Sequence, residues 1–122
     1  MLKHKVLRIL LTLAALSILI LSLIPMPSHI LEEWRFSDKL FHFAAYLVLS
    51  FLAFISFEHR SRLKIFLLAF SASFSFGGLM ELLQFLTPRQ PELMDLAVNF
   101  AGSLTGAAAG TVISRLSFFK IK

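Results

Sequence analysis

Four long apolar runs leave this chain few ways to fold. The first is about Leu7 to Ile24, "LRILLTLAALSILILSLI", and the second about Lys39 to Phe57, "KLFHFAAYLVLSFLAFISF". The third is about Lys64 to Thr87, "KIFLLAFSASFSFGGLMELLQFLT", and the fourth about Leu93 to Ile113, "LMDLAVNFAGSLTGAAAGTVI". Each is close to the roughly 20 residues that an α-helix needs to cross the hydrocarbon of a bilayer. A segment in lipid must satisfy its own backbone polar groups, so such runs become helices. Pro25 and Pro27 close the first run and Pro88 closes the third, because proline suits a loop better than a helix interior.

Composition agrees. Hydrophobic residues make up 57% of the 122 and charged ones 16%, with 14 Phe. The mean hydropathy is +0.81. A water-soluble domain of this length would be nearer half apolar and about one-quarter charged. The expectation is an all-α membrane protein, a bundle of four transmembrane helices in a single domain spanning residues 1–122, with no internal repeat. The absence of Cys excludes disulfides, thiol nucleophiles and thiolate metal sites. A net charge of +5 does not require nucleic acid as a partner. In a membrane protein, Lys and Arg gather in cytoplasmic loops and face anionic lipid.

The basic residues set the expected orientation. Lys3, Lys5 and Arg8 precede or open the first span, Arg60, Arg62 and Lys64 lie between the second and third, and Arg115, Lys120 and Lys122 follow the fourth. Those are nine of the 12 Lys and Arg residues, so both termini are expected in the cytoplasm of a multi-pass inner-membrane protein. Glu32, Glu33, Asp38, Glu92 and Asp95 fall on the other side, with only Arg35, Lys39 and Arg89. Trp34 suits the outer interface. The first run follows a basic segment, as a secretory signal would, but "IPMPSHI" offers no small-x-small cleavage site. It is therefore expected to remain as an anchor.

This topology puts the polar residues of three spans at one depth. Asp38, His42 and Tyr46 are spaced i, i+4, i+8 and share a face of the second span. Glu81 and Gln84 lie at the outer end of the third, with Glu81 about 9 Å from the end of a helix closing at Thr87. Asp95 and Asn99 open the fourth. Carboxylates facing lipid are costly, whereas carboxylates facing the bundle can pair or meet water. The strips are expected to face one another around an outward-open polar pocket, with Glu81 near His42 or Arg89. Gly102, Gly106 and Gly110 continue the Asp95–Asn99 face as GxxxGxxxG, a surface for close helix approach within the chain or between chains of a homo-oligomer.

"DKLFHFAAY" followed by "GGLMELLQFLTPRQPELMDLAVNFAGSLTG" resembles the VanZ-like family of small bacterial membrane proteins. That family's pattern has D/K–x–x–H–x–x–x–Y opening one helix. G–x–x–x–E–x–x–Q then ends the next helix, a short loop carries Arg, and D–x–x–x–N–x–x–G opens another. The matching positions are Lys39, His42, Tyr46, Gly77, Glu81, Gln84, Arg89, Asp95, Asn99 and Gly102. The likeness covers residues 38 to about 110, but the loop "TPRQPELMD" lacks the Gly that usually follows its first Pro. It implies a multi-pass protein of the bacterial cell envelope. The founding member is associated with resistance to the glycopeptide teicoplanin, and the resemblance names no reaction.

His42, Glu81 and Asp95 are the candidate catalytic residues. An imidazole ionises near neutrality and suits proton transfer, and an intramembrane carboxylate is a functional candidate by default. Each also has a structural alternative. His42 could pair with a carboxylate for packing, Glu81 could form an ion pair with Lys39 or Arg89, and Asp95 could favour a helix N-terminus. Lys39, Tyr46, Gln84, Arg89 and Asn99 are candidate binding residues, with Arg89 suited to an anionic headgroup unless it is a snorkelling anchor. His42, Glu81 and Asp95 are the three ligands that three helices could offer a metal, but there is no HExxH, His cluster or Cys. No metal or other cofactor is expected. Two function classes follow: an envelope protein binding an amphiphile such as an envelope lipid or lipophilic drug, and a membrane-embedded enzyme using general acid/base chemistry. A transporter is disfavoured, since the spans carry no broken-helix signature.

Overall fold

The computed structural model of the chain describes residues 2–23, 35–57, 61–86 and 93–116. They form four helices: α1 Leu2–Leu23, α2 Arg35–Ser56, α3 Arg62–Gln84 and α4 Leu93–Ser114. The helices have 22, 22, 23 and 22 residues. At 1.5 Å per residue that is about 33 Å, matching the thickness of bilayer hydrocarbon. All four are long and apolar enough to cross a membrane. Their outward surface is hydrocarbon, including Ile9, Leu13, Ile20, Leu40, Leu67, Leu82 and Val112.

Two helices extend beyond the apolar runs and one stops short. Helix α1 begins at Leu2, so Lys3, Lys5 and Arg8 lie within it. Helix α2 begins at Arg35, which places Asp38 in its first turn. Helix α3 stops at Gln84, not Thr87, with the Phe85 N–H bonding back to the Leu82 and Leu83 carbonyls. Glu81 therefore sits in the last turn, about 4.5 Å along the axis from the helix end, shallower than the span length suggested. At the other end of α3 the Ser61 hydroxyl caps the helix, accepting from the Lys64 N–H at 3.4 Å.

The bundle is built on α2. Helix α4 packs most extensively against it, while α1 packs on α2 and α3 and makes no comparable contact with α4. The glycine stripe of α4 is what brings α4 so close to α2. A Cβ at Gly102 would lie 2.5 Å from the Phe43 carbonyl oxygen. One at Gly106 would overlap the Leu47 carbonyl oxygen, and one at Gly110 would lie 2.7 Å from the Phe54 ring. The stripe is thus covered within the chain, and an oligomer through the same face would have to displace α2.

Side chains tie the layers together. The Ser50 hydroxyl donates to the Ser103 carbonyl at 2.6 Å, and the Ser73 and Ser103 hydroxyls bond at 2.9 Å. These three serines join α2, α3 and α4 in the interior. Phe70 and Phe74 of α3 each meet the Phe100 ring edge-on, with centroids 5.2 and 5.3 Å away. At the basic end of the bundle, the Arg62 guanidinium donates to the Ser114 hydroxyl and carbonyl at 3.1 and 3.3 Å.

Replacing Gly106 by Ala tests this contact. The new methyl has a backbone carbonyl in its way, so a loss of about 1–3 kcal/mol is expected, read as a lower midpoint of thermal unfolding in detergent. Gly78→Ala is the control, because nothing lies within 4 Å of the methyl it would add. Its midpoint should stay the same or rise slightly.

Candidate functional site

The polar residues gather at the end of the bundle away from the basic helix ends, on the walls where α2 meets α4 and α1. Helix α2 contributes the most. Asp38, His42 and Tyr46 lie one turn apart on one face, and the His42 Nε2 is 3.5 Å from the Asp38 Oδ1. Helix α4 brings Asp95 and Asn99 on successive turns, both buried. Helix α3 brings Gln84, buried, and Glu81, half-buried.

One ion pair crosses the α2–α4 contact. The Lys39 ammonium donates to the Asp95 Oδ1 and lies 4.0 Å from the Asp38 Oδ2. The side chains of Lys39 and Asp95 are 16% and 7% exposed, so the pair is largely withdrawn from its surroundings. One structural alternative paired Glu81 with Lys39 or Arg89; the Lys39 ammonium stands on Asp95. The reason is geometric. The glycine stripe draws the first turns of α4 against the first turns of α2, whereas Glu81 ends a different helix.

The described partner of His42 is Asp38 of its own helix. Asn99 and Tyr46 crowd Gly77 of α3. A Cβ there would meet the Asn99 Nδ2 at 2.9 Å and the Tyr46 Cε1 at 3.1 Å. Gly77 is therefore a site residue in the sense that it makes room for two others. Gln84 reaches sideways, its amide donating to the Ser22 carbonyl of α1 at 2.9 Å. Arg89 and Trp34 lie outside the described residues.

Sequence reasoning placed Asp38 in the polar strip but not among the site residues, and it missed Ser22 altogether. Asp38 was legible from its i, i+4 spacing to His42. Ser22 carried no signal, since a lone Ser in a leucine-rich span is ordinary. Potential metal donors also differ from the expected set. Asp38, His42 and Asp95 present ligand atoms within 4.8 Å of one another, without Glu81. The Lys39 ammonium already bonds Asp95 there, so a divalent cation would have to displace it. Chemically, the cluster offers carboxylates, an imidazole and hydroxyls in a largely buried site, suited to hydrogen bonding and proton transfer.

No family model, no curated protein and no solved structure matches this chain.

Lys39→Met would leave Asp95 buried without its ammonium, at an expected cost of about 3–5 kcal/mol. The measurement is unfolding in detergent. Lys39→Arg should recover part of the loss, because a guanidinium can also reach the carboxylate.

Proposed function

We propose that this chain is a VanZ-like multi-pass protein of the bacterial cytoplasmic membrane, with both termini in the cytoplasm. Its polar cluster then faces outward and receives the polar head of an amphiphile from the surrounding lipid. The observation that carries the binding reading is the convergence of Asp38, Lys39, His42, Tyr46, Glu81, Asp95 and Asn99 from three helices. A structural role alone would need one ion pair. This end of the bundle holds three carboxylates, an ammonium, an imidazole and a phenol. Intramembrane ionisable groups gathered in this way mark ligand or proton sites. The basic helix ends at the opposite pole support the orientation. The likeness of "DKLFHFAAY" and "GGLMELLQ" to the VanZ-like pattern supports the envelope role, including an effect on sensitivity to a lipid-anchored glycopeptide.

A second reading is favoured by one distance. With Asp38 3.5 Å from its Nε2, His42 has a carboxylate able to orient it. That arrangement suits a general base acting on an amphiphilic envelope substrate. Covalent catalysis has no sequence support, since no nucleophile with an adjacent base appears on a shared helix face.

Glu81→Gln separates the roles, because it keeps the shape and removes the charge and the proton. It should be assayed for unfolding in detergent and for growth under glycopeptide or other envelope stress. On the binding reading the variant stays folded and growth protection falls only in part. Complete loss of protection in a folded protein would favour the enzyme, and loss of folding would reduce Glu81 to a structural role.

A further inference from the structure

A small cavity lies between α1 and α2, beside the polar cluster. Its volume is about 30 Å³, close to the space one water takes up in the liquid. Ser22, Asp38, His42 and Tyr46 bring polar groups to its wall. Leu21 and Phe41 also line it, and they are 45% and 56% exposed on the bundle surface. The cavity therefore lies toward the lipid side of the α1–α2 seam.

Two hydroxyls at this wall are placed without a protein partner. Ser22 is 6% exposed and Tyr46 1% exposed. The carbonyl of each accepts a hydrogen bond, from Gln84 and Ser73 respectively. Neither hydroxyl has a hydrogen-bond partner among the described residues. The Ser56 hydroxyl, at the opposite end of α2, is likewise buried without a partner among the described residues, but other hydroxyls are answered locally. Thr12, Ser17, Thr105 and Thr111 each donate to a carbonyl one turn back. Both hydroxyls line the cavity, so a polar group placed there can bond each of them.

The wall's chemistry selects that group. It carries the Asp38 carboxylate, which also faces Lys39 and His42, and no Lys or Arg is among the described residues that line it. A phosphate or carboxylate would meet like charge. A trimethylammonium has no N–H to give the two hydroxyl oxygens. A primary ammonium is about the size of a water, carries the complementary charge and has N–H donors for the carboxylate and both hydroxyl oxygens. The neighbouring Asp95 already holds such a group, the Lys39 ammonium.

Building on the amphiphile reading above, we propose that the cavity binds the primary ammonium of a lipid headgroup, admitted sideways between α1 and α2. Asp38 is its counter-charge, and Ser22 and Tyr46 accept its remaining protons.

The test uses the full chain in detergent and native mass spectrometry. The probes are phosphatidylethanolamine, phosphatidylcholine and phosphatidylglycerol with the same acyl chains. Retention of the ethanolamine lipid should exceed that of the choline lipid by about tenfold, the scale of one charge-assisted hydrogen bond. Asp38→Asn should abolish the preference and Ser22→Ala should weaken it. The Ser22 hydroxyl bonds none of the described residues, so Ser22→Ala keeps the fold testable if Asp38→Asn does not. Equal retention of all three lipids, still reduced by Ser22→Ala, would overturn the ammonium and leave the amphiphile reading standing. Retention indifferent to headgroup and to both substitutions would overturn both. Binding of free ethanolamine without any lipid preference would assign the cavity to a soluble amine and overturn the lipid. Saturable Mn²⁺ binding that Asp38→Asn removes, again without lipid preference, would assign Asp38 to a divalent cation instead.

Discussion

The closeness of α4 to α2 governs the rest of the molecule. No driving force comparable to water exclusion holds helices together in lipid, so they associate where their backbones can approach and where polar groups can pair. Gly102 and Gly106 present no side chain to the Phe43 and Leu47 carbonyls, and α4 settles onto α2 backbone to backbone. That contact fixes the register. With Gly102 opposite Phe43, the turns before each residue bring Asp95 to Lys39. The same face that carries the glycines carries the polar strip, so packing and site are consequences of one alignment.

Once the register is set, each charge has an answer. Asp95 meets Lys39, and Asp38 lies between Lys39 and His42. Glu81 is tolerated for a different reason. It stands in the last turn of α3, half-buried, where the helix is already ending. The interior below is tied by serines: the Ser73 and Ser103 hydroxyls bond each other, and the Ser50 hydroxyl donates to the Ser103 carbonyl. The bundle thus divides into a polar end, a sealed middle and a basic end. At the polar end, Ser22 and Tyr46 line a small cavity between α1 and α2.

Much of this was legible in the sequence because lipid removes alternatives. A run of about 20 apolar residues has to be a helix, and an i, i+4 spacing then fixes which residues share a face. The Asp38–His42–Tyr46 and Asp95–Asn99 strips needed nothing more. Pairing between helices was not legible. Lys39 could have answered Glu81, and only the three-dimensional position of α4 assigns it to Asp95. The ends of the helices were misplaced where charged or aromatic residues continue the backbone pattern past the apolar run. Thus α1 takes in Lys3 and Lys5, and α3 stops before Thr87. The glycine stripe was legible as a packing surface, but its partner was not, since an identical stripe serves contacts within or between chains.

The alignment of α4 on α2 is tested most directly by exchanging the charges of the pair it creates. Lys39→Asp, Asp95→Lys and the double exchange would be compared by thermal unfolding of the detergent-solubilised protein. If the glycine contact sets the register described, each single change places two like charges together and lowers the midpoint sharply. The double exchange should then recover most of the loss. Losses that simply add would show that Lys39 and Asp95 do not face one another, and the site built on that pair would fall with it.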